Sequence, residues 1–425
     1  MGAQKNMVRL IDVTNRDGVQ TSRLGLAKLQ KTVLNILLNK MGIFQSEFGF
    51  PFTTHEINYL NANLELARKK VIYPMRLSGW IRAIESDVET TTRLTAVKHL
   101  NMSISTSDQM IKGKFAGKMD RKGVIKAAVG AIKLARKRGI KSIGVNAEDA
   151  SRSDLDYLIE FGQAAKEAGA DRIRYCDTLG YDDPFTVYDR VAALASAVKI
   201  PIELHTHNDL GMAVAVSIAG AKAAIDSGVD AYINTTVNGM GERAGNADLV
   251  SCVLALKYSS GFAGNRKYRM DPSINTRMSW KIAQYASYAF GVPLPVNQVG
   301  VGANAFAHES GIHADGALKD RRNYELYDFE ELGRGEPEVI DTGRAITAGE
   351  YSGIKGFRNV YHRLEVKFHD NKEATRILEL VRYANVHTQK PLVRDELIFI
   401  AKYPDIAEKI FTMMPPTVKA KRRKK

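Results

Sequence analysis

Apolar and β-branched residues recur along this chain in eight short runs, spaced roughly 25 to 35 residues apart, with stretches of helical periodicity between them. The runs are Val8–Val13, Phe44–Phe48, Tyr73–Leu77, Leu100–Ser105, Ser142–Val145, Arg172–Cys176, Ile200–Leu204 and Ala231–Val237. Each has the length of a buried strand. Ala27–Lys40 sets Leu29, Val33, Leu34, Ile36 and Leu37 largely on one face of a helix. Gly123–Arg138 and Leu155–Ala168 do likewise, and Gly139 and Gly169 follow as helix stops. Asp209–Gly228 is Ala-rich and predicts a further helix, with Asp209 as its N-cap.

Strands alternating with helices in this way predict a (β/α)8 TIM barrel over residues 1–265. A doubly wound sheet would want a glycine-rich phosphate turn after the first strand, and T-N-R-D-G-V-Q is not one. Beyond the barrel the pattern predicts a smaller helical region over 266–418, opening on a helix-rich connector at Met270–Pro295 and including helices at Ala374–Ala384 and Glu396–Ala401. A basic tail, 419–425, closes the chain.

A barrel of this kind carries its chemistry where strands end at the C-terminal face, and polar residues collect there. Arg16, Asp17 and Gln20 follow strand one; Glu47 ends strand two and Arg76 strand three. Ser105, Thr106 and Ser107 follow strand four, Glu148 and Asp149 strand five, and Asp177 and Thr178 strand six. Asn238, Glu242, Arg243 and Asn246 follow strand eight. For any one of these taken singly, a cap or turn role is the better reading. Their convergence predicts a catalytic mouth.

Strand seven ends in H-T-H-N, and residues two apart on a strand share a face, so His205 and His207 project together. Taken alone they are either a metal site or a satisfied pair. Barrel closure sets Asp17 and Asn246 beside them, and a carboxylate, two imidazoles and an amide oxygen suit Mn²⁺, Zn²⁺, Co²⁺ or Mg²⁺.

Charge narrows the partners. The formal net charge is +14, but six positive charges fall in Lys419–Lys425, and no aromatic-plus-basic stripe accompanies the rest. Nucleic acid is not an expected partner; anionic small molecules such as a coenzyme A or a polycarboxylate are. No run spans a bilayer and no leader precedes the first strand, so a cytoplasmic, membrane-free location is expected. Cys176 and Cys252 are too few for a disulfide framework.

Several motifs together resemble the isopropylmalate, homocitrate and Re-citrate synthase family, which condenses acyl-CoA with 2-oxo acids. They are I-D-V-T-N-R-D-G-V-Q at 11–20, E-F-G-F-P at 47–51, N-A-E-D-A at 146–150 and D-T-L-G-Y at 177–181. H-T-H-N-D-L-G-M-A at 205–213, N-G-M-G-E-R-A-G-N-A at 238–247, F-A-H-E-S-G-I-H-A-D-G at 306–316 and N-Y-E-L-Y at 323–327 continue the likeness. The resemblance implies Asp17, His205, His207 and Asn246 as ligands of a divalent metal, Mn²⁺ first among them, with acetyl-CoA as co-substrate. It implies Arg16, Glu148, His313 and Tyr324 as catalytic residues. Gln20, Glu47, Arg76, Thr178, Asn238 and Glu242 are the expected substrate contacts. His313 and Tyr324 would reach a neighbouring subunit's barrel in a domain-swapped homodimer.

The chain departs from the usual D-T-T-L-R-D-G-E-Q at Val13, Asn15 and Val19, and has Asn101 and Met110 where histidines are usual. Those variants are most similar to the Re-citrate synthase branch, which implies oxaloacetate as the 2-oxo acid, with Arg76 or Arg82 meeting its second carboxylate. Homocitrate synthase on 2-oxoglutarate and isopropylmalate synthase on 2-oxoisovalerate are the alternatives. A lyase of the hydroxymethylglutaryl-CoA type would need a cysteine within Gly239–Gly245, which has none.

Overall fold

The structure, a computed structural model, describes residues 6–337 and 345–413, so the basic tail lies outside it. Its parallel strands follow one another in chain order: β1 (Met7–Asp12), β2 (Gln45–Gly49), β3 (Arg76–Arg82), β4 (His99–Ser105), β5 (Ser142–Glu148), β6 (Arg172–Asp177), β7 (Ile202–Thr206) and β8 (Ala231–Thr235). β8 pairs with β1 and β1 with β2, which closes the sheet into a TIM barrel. A two-residue strand, β9 (Arg269–Met270), extends the lower end of β1.

Helices fill the connections, and their ends follow local chemistry. Leu155–Ala168 starts where Asp154 accepts the Tyr157 N–H at 2.9 Å and stops at Gly169, whose φ of 106° only glycine adopts freely. The helix after β7 is shorter than its composition predicts. It runs Ala213–Asp226, and Asn208, not Asp209, accepts the Ala213 N–H at 3.1 Å. Asp209 is taken instead by Arg243, at 2.9 Å.

Strand three also differs from expectation. The apolar residues before Arg76 belong to the approach to the barrel, and β3 begins at Arg76 rather than ending near it. Arg76 therefore lies at the N-terminal end of the barrel, stacked 4.6 Å over the Phe44 ring, away from the mouth. Its expected role as a substrate contact is overturned by that placement.

The barrel interior is ionic rather than aliphatic. Inward positions of β2, β6 and β7 bring together Glu47, Arg172, Arg174 and Glu203, all buried. Arg174 Nε meets Glu203 at 2.8 Å, its Nη2 bridges Glu203 and Glu47, and Arg172 Nη2 donates to Asn101 Oδ1 at 2.8 Å. Groups this buried persist only when paired and hydrogen-bonded. The aliphatic core lies outside the strands, between sheet and helices.

After β9, helix Ser279–Phe290 packs on the barrel's first helix, Lys28–Lys40. Helices Asn371–Thr388, Arg394–Lys402 and Pro404–Phe411 return to the same flank, where Lys409 meets Glu65 at 2.7 Å and Tyr285 donates to Glu396 at 3.1 Å. Between these lies helix Gly311–Lys319, with Ile312 and Leu318 exposed. No described helix is long and apolar enough to cross a membrane.

Candidate active site

Strand ends and the turns after them assemble the site. β7 delivers His205 and His207 to one side, with ring centroids 5.1 Å apart and planes nearly perpendicular. The turn after β1 brings the Asp17 carboxylate to them, its Oδ2 lying 3.2 Å from His205 Nε2 and 3.6 Å from His207 Nε2. A short backbone bridge pairs His207 with Asn246, whose Nδ2 donates to the same Oδ2 at 3.0 Å. Among the described residues this is the one grouping of acids, histidines or cysteines suited to hold a metal.

The electrostatics suit that use. Burial alone would raise the Asp17 carboxyl, but the Arg16 guanidinium and then His205 outweigh it and hold Asp17 well below the usual carboxylate range. Burial lowers both imidazoles, and the neighbouring His205 helps bring His207 down to about 4. The cluster at neutral pH is thus one anion and two neutral imidazoles. Asn246 Oδ1 is buried without a hydrogen-bond partner, as are both histidine Nδ1 atoms. A mixed O/N set with an orphaned amide oxygen fits a divalent metal, to which Asn246 would turn its oxygen.

Beside the cluster a cavity of about 240 Å³ opens at the mouth. Arg16, Gln20, Glu148, Thr178 and Glu242 line it with the cluster's Asp17 and histidines. Arg16 is fixed by Glu47, its Nε 2.8 Å from Oε2. Burial would raise the Glu47 carboxyl, yet Arg174 and then Arg16 hold it well below its ordinary value. Glu148 Oε2 accepts from Ser105, and Lys114 Nζ reaches its two oxygens at 2.8 and 2.7 Å. Thr178 Oγ1 accepts the Asp149 N–H at 2.9 Å.

Other expected contacts lie elsewhere. Glu47 is fully buried under Arg16, Arg174 and Asn101, so it positions Arg16 and touches no ligand. Asn238 donates to the Ala283 carbonyl at 3.0 Å, outside the cavity. Arg82 is held by Asp87 at 2.7 Å and does not line the cavity either. His313 and Tyr324 sit together, rings 4.4 Å apart, on the helix Gly311–Lys319 side of the chain and not in this barrel's cavity. His308 pairs with Glu325 at 3.2 Å.

Arg243, expected after strand eight, lines the cavity as well, and sequence reading missed Trp80, Ser103, Asn146, Arg174 and Cys176, which complete the lining. The signal was available: Ser103 in β4, Asn146 in β5, and Arg174 and Cys176 in β6 fall on the inward positions of a two-residue alternation, and Trp80 holds the corresponding place in β3. Not one aliphatic side chain lines the cavity.

Comparison with known proteins agrees with the geometry. Residues 7–285 match the HMGL-like family model, and 301–388 match the homocitrate synthase post-HMGL domain-like model. The chain is 60% identical over 408 residues to Citrate (Re)-synthase of Dehalococcoides mccartyi, covering 96% of this chain and 98% of that one. It is 39% identical over 402 residues to 2-isopropylmalate synthase 2 of Caldanaerobacter subterraneus, covering 95% and 96%. A solved hydroxymethylglutaryl-CoA lyase from Pseudomonas aeruginosa superposes with a TM-score of 0.55 at 16% identity, covering 68% of this chain and 95% of that one, a likeness of fold.

Proposed function

This chain belongs to the HMGL-like family, in the group that carries the homocitrate synthase post-HMGL module, and we propose that it condenses acetyl-CoA with oxaloacetate to give citrate and free CoA. The carrying observation is the cavity: a buried Asp-His-His cluster on one wall and no aliphatic residue on any other. A branched aliphatic 2-oxo acid would gain nothing from such walls, whereas a polar dicarboxylate would. The 60% identity to a Citrate (Re)-synthase supports the same choice.

Asp17, His205, His207 and Asn246 would hold a divalent metal, manganese in our reading, which supplies Lewis-acid polarisation of the 2-oxo carbonyl. Arg16, rigid on Glu47, would stabilise the negative charge that develops on the carbonyl oxygen. Thr178 would donate to the carboxylate next to the keto group. The acetyl methyl gives up a proton, its carbon bonds to the keto carbon, and water then cleaves the thioester. Glu148, oriented by Ser105 and Lys114, would assist proton movement at the mouth.

His313 and Tyr324 would take part in the first proton transfer from a second subunit. Their absence from this chain's own lining, and the exposed Ile312, Leu318 and Leu326 near them in the chain, support a swapped homodimer.

The test is CoA release from acetyl-CoA and Mn²⁺ with oxaloacetate, 2-oxoglutarate, 2-oxoisovalerate and pyruvate in parallel. Oxaloacetate is expected to be the best acceptor; another acid in first place overturns the substrate, and no release with any of them overturns the reaction. Asp17→Ala or His205→Ala should abolish release, and full activity in either with stoichiometric metal refutes the ligand set.

A further inference from the structure

The polar interior of the barrel does not end at the ion pairs beneath the mouth. Asn101 and Arg174 both donate to Glu47, and Asn234 joins Arg174 on one oxygen of Glu203, so these four strands meet in one layer. Residues two apart on a strand share a face. Gln45, His99, Arg172 and Tyr232 stand two positions earlier on the same strands and therefore form the layer beneath, nearer the N-terminal end. Arg76 is the register partner of Gln45, and Ser142 that of His99, at the barrel's base.

Gln45 is the anomaly in this layer. It is fully buried, and neither its amide oxygen nor its amide nitrogen has a hydrogen-bond partner among the described residues. A buried amide left in that state costs the desolvation of both groups, and a ligand against it removes the cost.

The surroundings of Gln45 are cationic. The Phe44 and Tyr232 rings lie 5.4 Å apart and carry three guanidinium groups on their faces. Arg76 sits 4.6 Å and Arg9 5.5 Å over Phe44, and Arg172 sits 5.5 Å over Tyr232. A guanidinium stacked on a ring keeps its in-plane N–H groups for another partner. Arg9 gives its own to Asp230, and Arg172 to Glu203 and Asn101. Among the described residues neither Arg76 nor Lys141 has a carboxylate within ion-pair reach, and the nearby Asp171 is held by Arg136 at 2.6 Å. Burial, and then the charges of Arg76, Arg172 and Lys141, bring the His99 imidazole down to about 4, so the ring is neutral and faced by cations. Ser142 Oγ lies 2.7 Å from His99 Nδ1; with the hydroxyl donating there, the neutral ring carries its proton on Nε2 as a further donor.

We propose that the N-terminal end of the barrel binds a dianionic oxyanion of the phosphate type between Arg76, His99 and the Gln45 amide. The two cations without acids, Arg76 and Lys141, match the charge of a dianion, and the exposed Arg76 gives it access from solvent. The site lies at the end of the barrel opposite the mouth and does not depend on the condensation reading. Bound there, the anion ties β2, β3 and β4 together and stabilises the folded chain by mass action.

Titration calorimetry with inorganic phosphate tests this, on the full chain without added metal, at pH 8 and against chloride at matched ionic strength. One phosphate per chain should bind, sulfate should compete, and chloride should not. Arg76→Ala should weaken phosphate at least about 10-fold, and Gln45→Met about 10-fold, the size of a hydrogen bond to a charged group. The basic run Lys419–Lys425 is present in each variant, so binding to the tail would survive both changes. Because the Gln45 amide is unpaired, Gln45→Met should leave the melting temperature without phosphate unchanged or raised. Arg76→Ala alters an exposed side chain and serves if Gln45→Met does not fold. Glycerol 3-phosphate identifies the source: binding as tight as that of phosphate assigns the phosphate group of an ester, and weaker binding assigns the free anion.

Heats no larger than those of chloride, or an affinity for phosphate that neither variant changes, overturn the site. So does a Gln45→Met protein that melts lower without phosphate yet binds phosphate as tightly as the unmodified protein, since the fold's own contacts then hold the amide.

Discussion

Arg16 Nε donates to Glu47 Oε2 at 2.8 Å, so the guanidinium beside the histidine cluster is held from below by a carboxylate that solvent never reaches. Glu47 also takes Arg174 and Asn101. Replacing it by Gln leaves two buried guanidinium groups sharing one fewer anion, a change that costs about 3–5 kcal/mol when one partner of a buried pair is removed. Urea unfolding at pH 7 should show that loss. Because Glu47 in the folded protein lies well below its ordinary value, its contribution is present above about pH 4.5 and disappears as pH falls toward the folded value. Glu47→Gln and the unmodified protein should therefore converge in stability on acidification.

Asp12 has the opposite sign. It is fully buried at the end of β1, and burial, opposed by two hydrogen bonds from Thr14 at 2.9 Å, raises its carboxyl to about 7. A raised folded value means its contribution is complete below the unfolded value near 4 and declines as pH rises toward 7. Asp12→Asn can keep both contacts with Thr14 and removes the titration. The stability of Asp12→Asn relative to the unmodified protein should rise from pH 4 to 7 by up to about 1.4 kcal/mol per pH unit. Urea curves at matched pH values measure it, and a flat difference refutes the assignment.

These two acids show what the sequence disclosed and what it hid. Seven of the eight apolar runs located their strands and the third met β3 only at Arg76 and Leu77; a barrel strand needs its outward residues apolar to pack on helices, and that demand is visible in a single run. The Asp17, His205, His207 and Asn246 grouping was legible because closure of the barrel fixes which strand ends are neighbours. Arg76 was misplaced because Tyr73–Met75 is as apolar as a strand, and nothing local marks where the approach ends. Arg172 and Arg174 read as ordinary strand charges, since only the packed interior shows that they face Glu203 and Glu47.

His313 and Tyr324 lie outside their own chain's cavity, so a shared site makes a statistical prediction. Asp17→Ala and His313→Ala should each be inactive alone. Mixed and allowed to exchange subunits, random pairing gives half heterodimers with one intact site of two, or about a quarter of unmodified activity. CoA release after mixing measures this. No recovery, despite exchange demonstrated by a tag on one variant, removes the swapped arrangement.

Gly241 tests the fourth ligand without altering any ligand. A Cβ on Gly241 would lie 1.9 Å from Asn246 Oδ1, a contact no structure tolerates, so Gly241→Ala must push the amide aside. The backbone at Gly241 does not require glycine, unlike Gly239 and Gly245, whose φ values are 67° and 90°. The cost therefore falls on the position of the Asn246 side chain and not on the turn. Mn²⁺ affinity measured by calorimetry should drop about 10- to 100-fold, the range for disturbing a group that orients a metal site. Thermal unfolding without metal should change little. If Gly241→Ala binds Mn²⁺ as tightly as the unmodified protein, Asn246 is not a ligand, and the metal is held by Asp17, His205 and His207 alone.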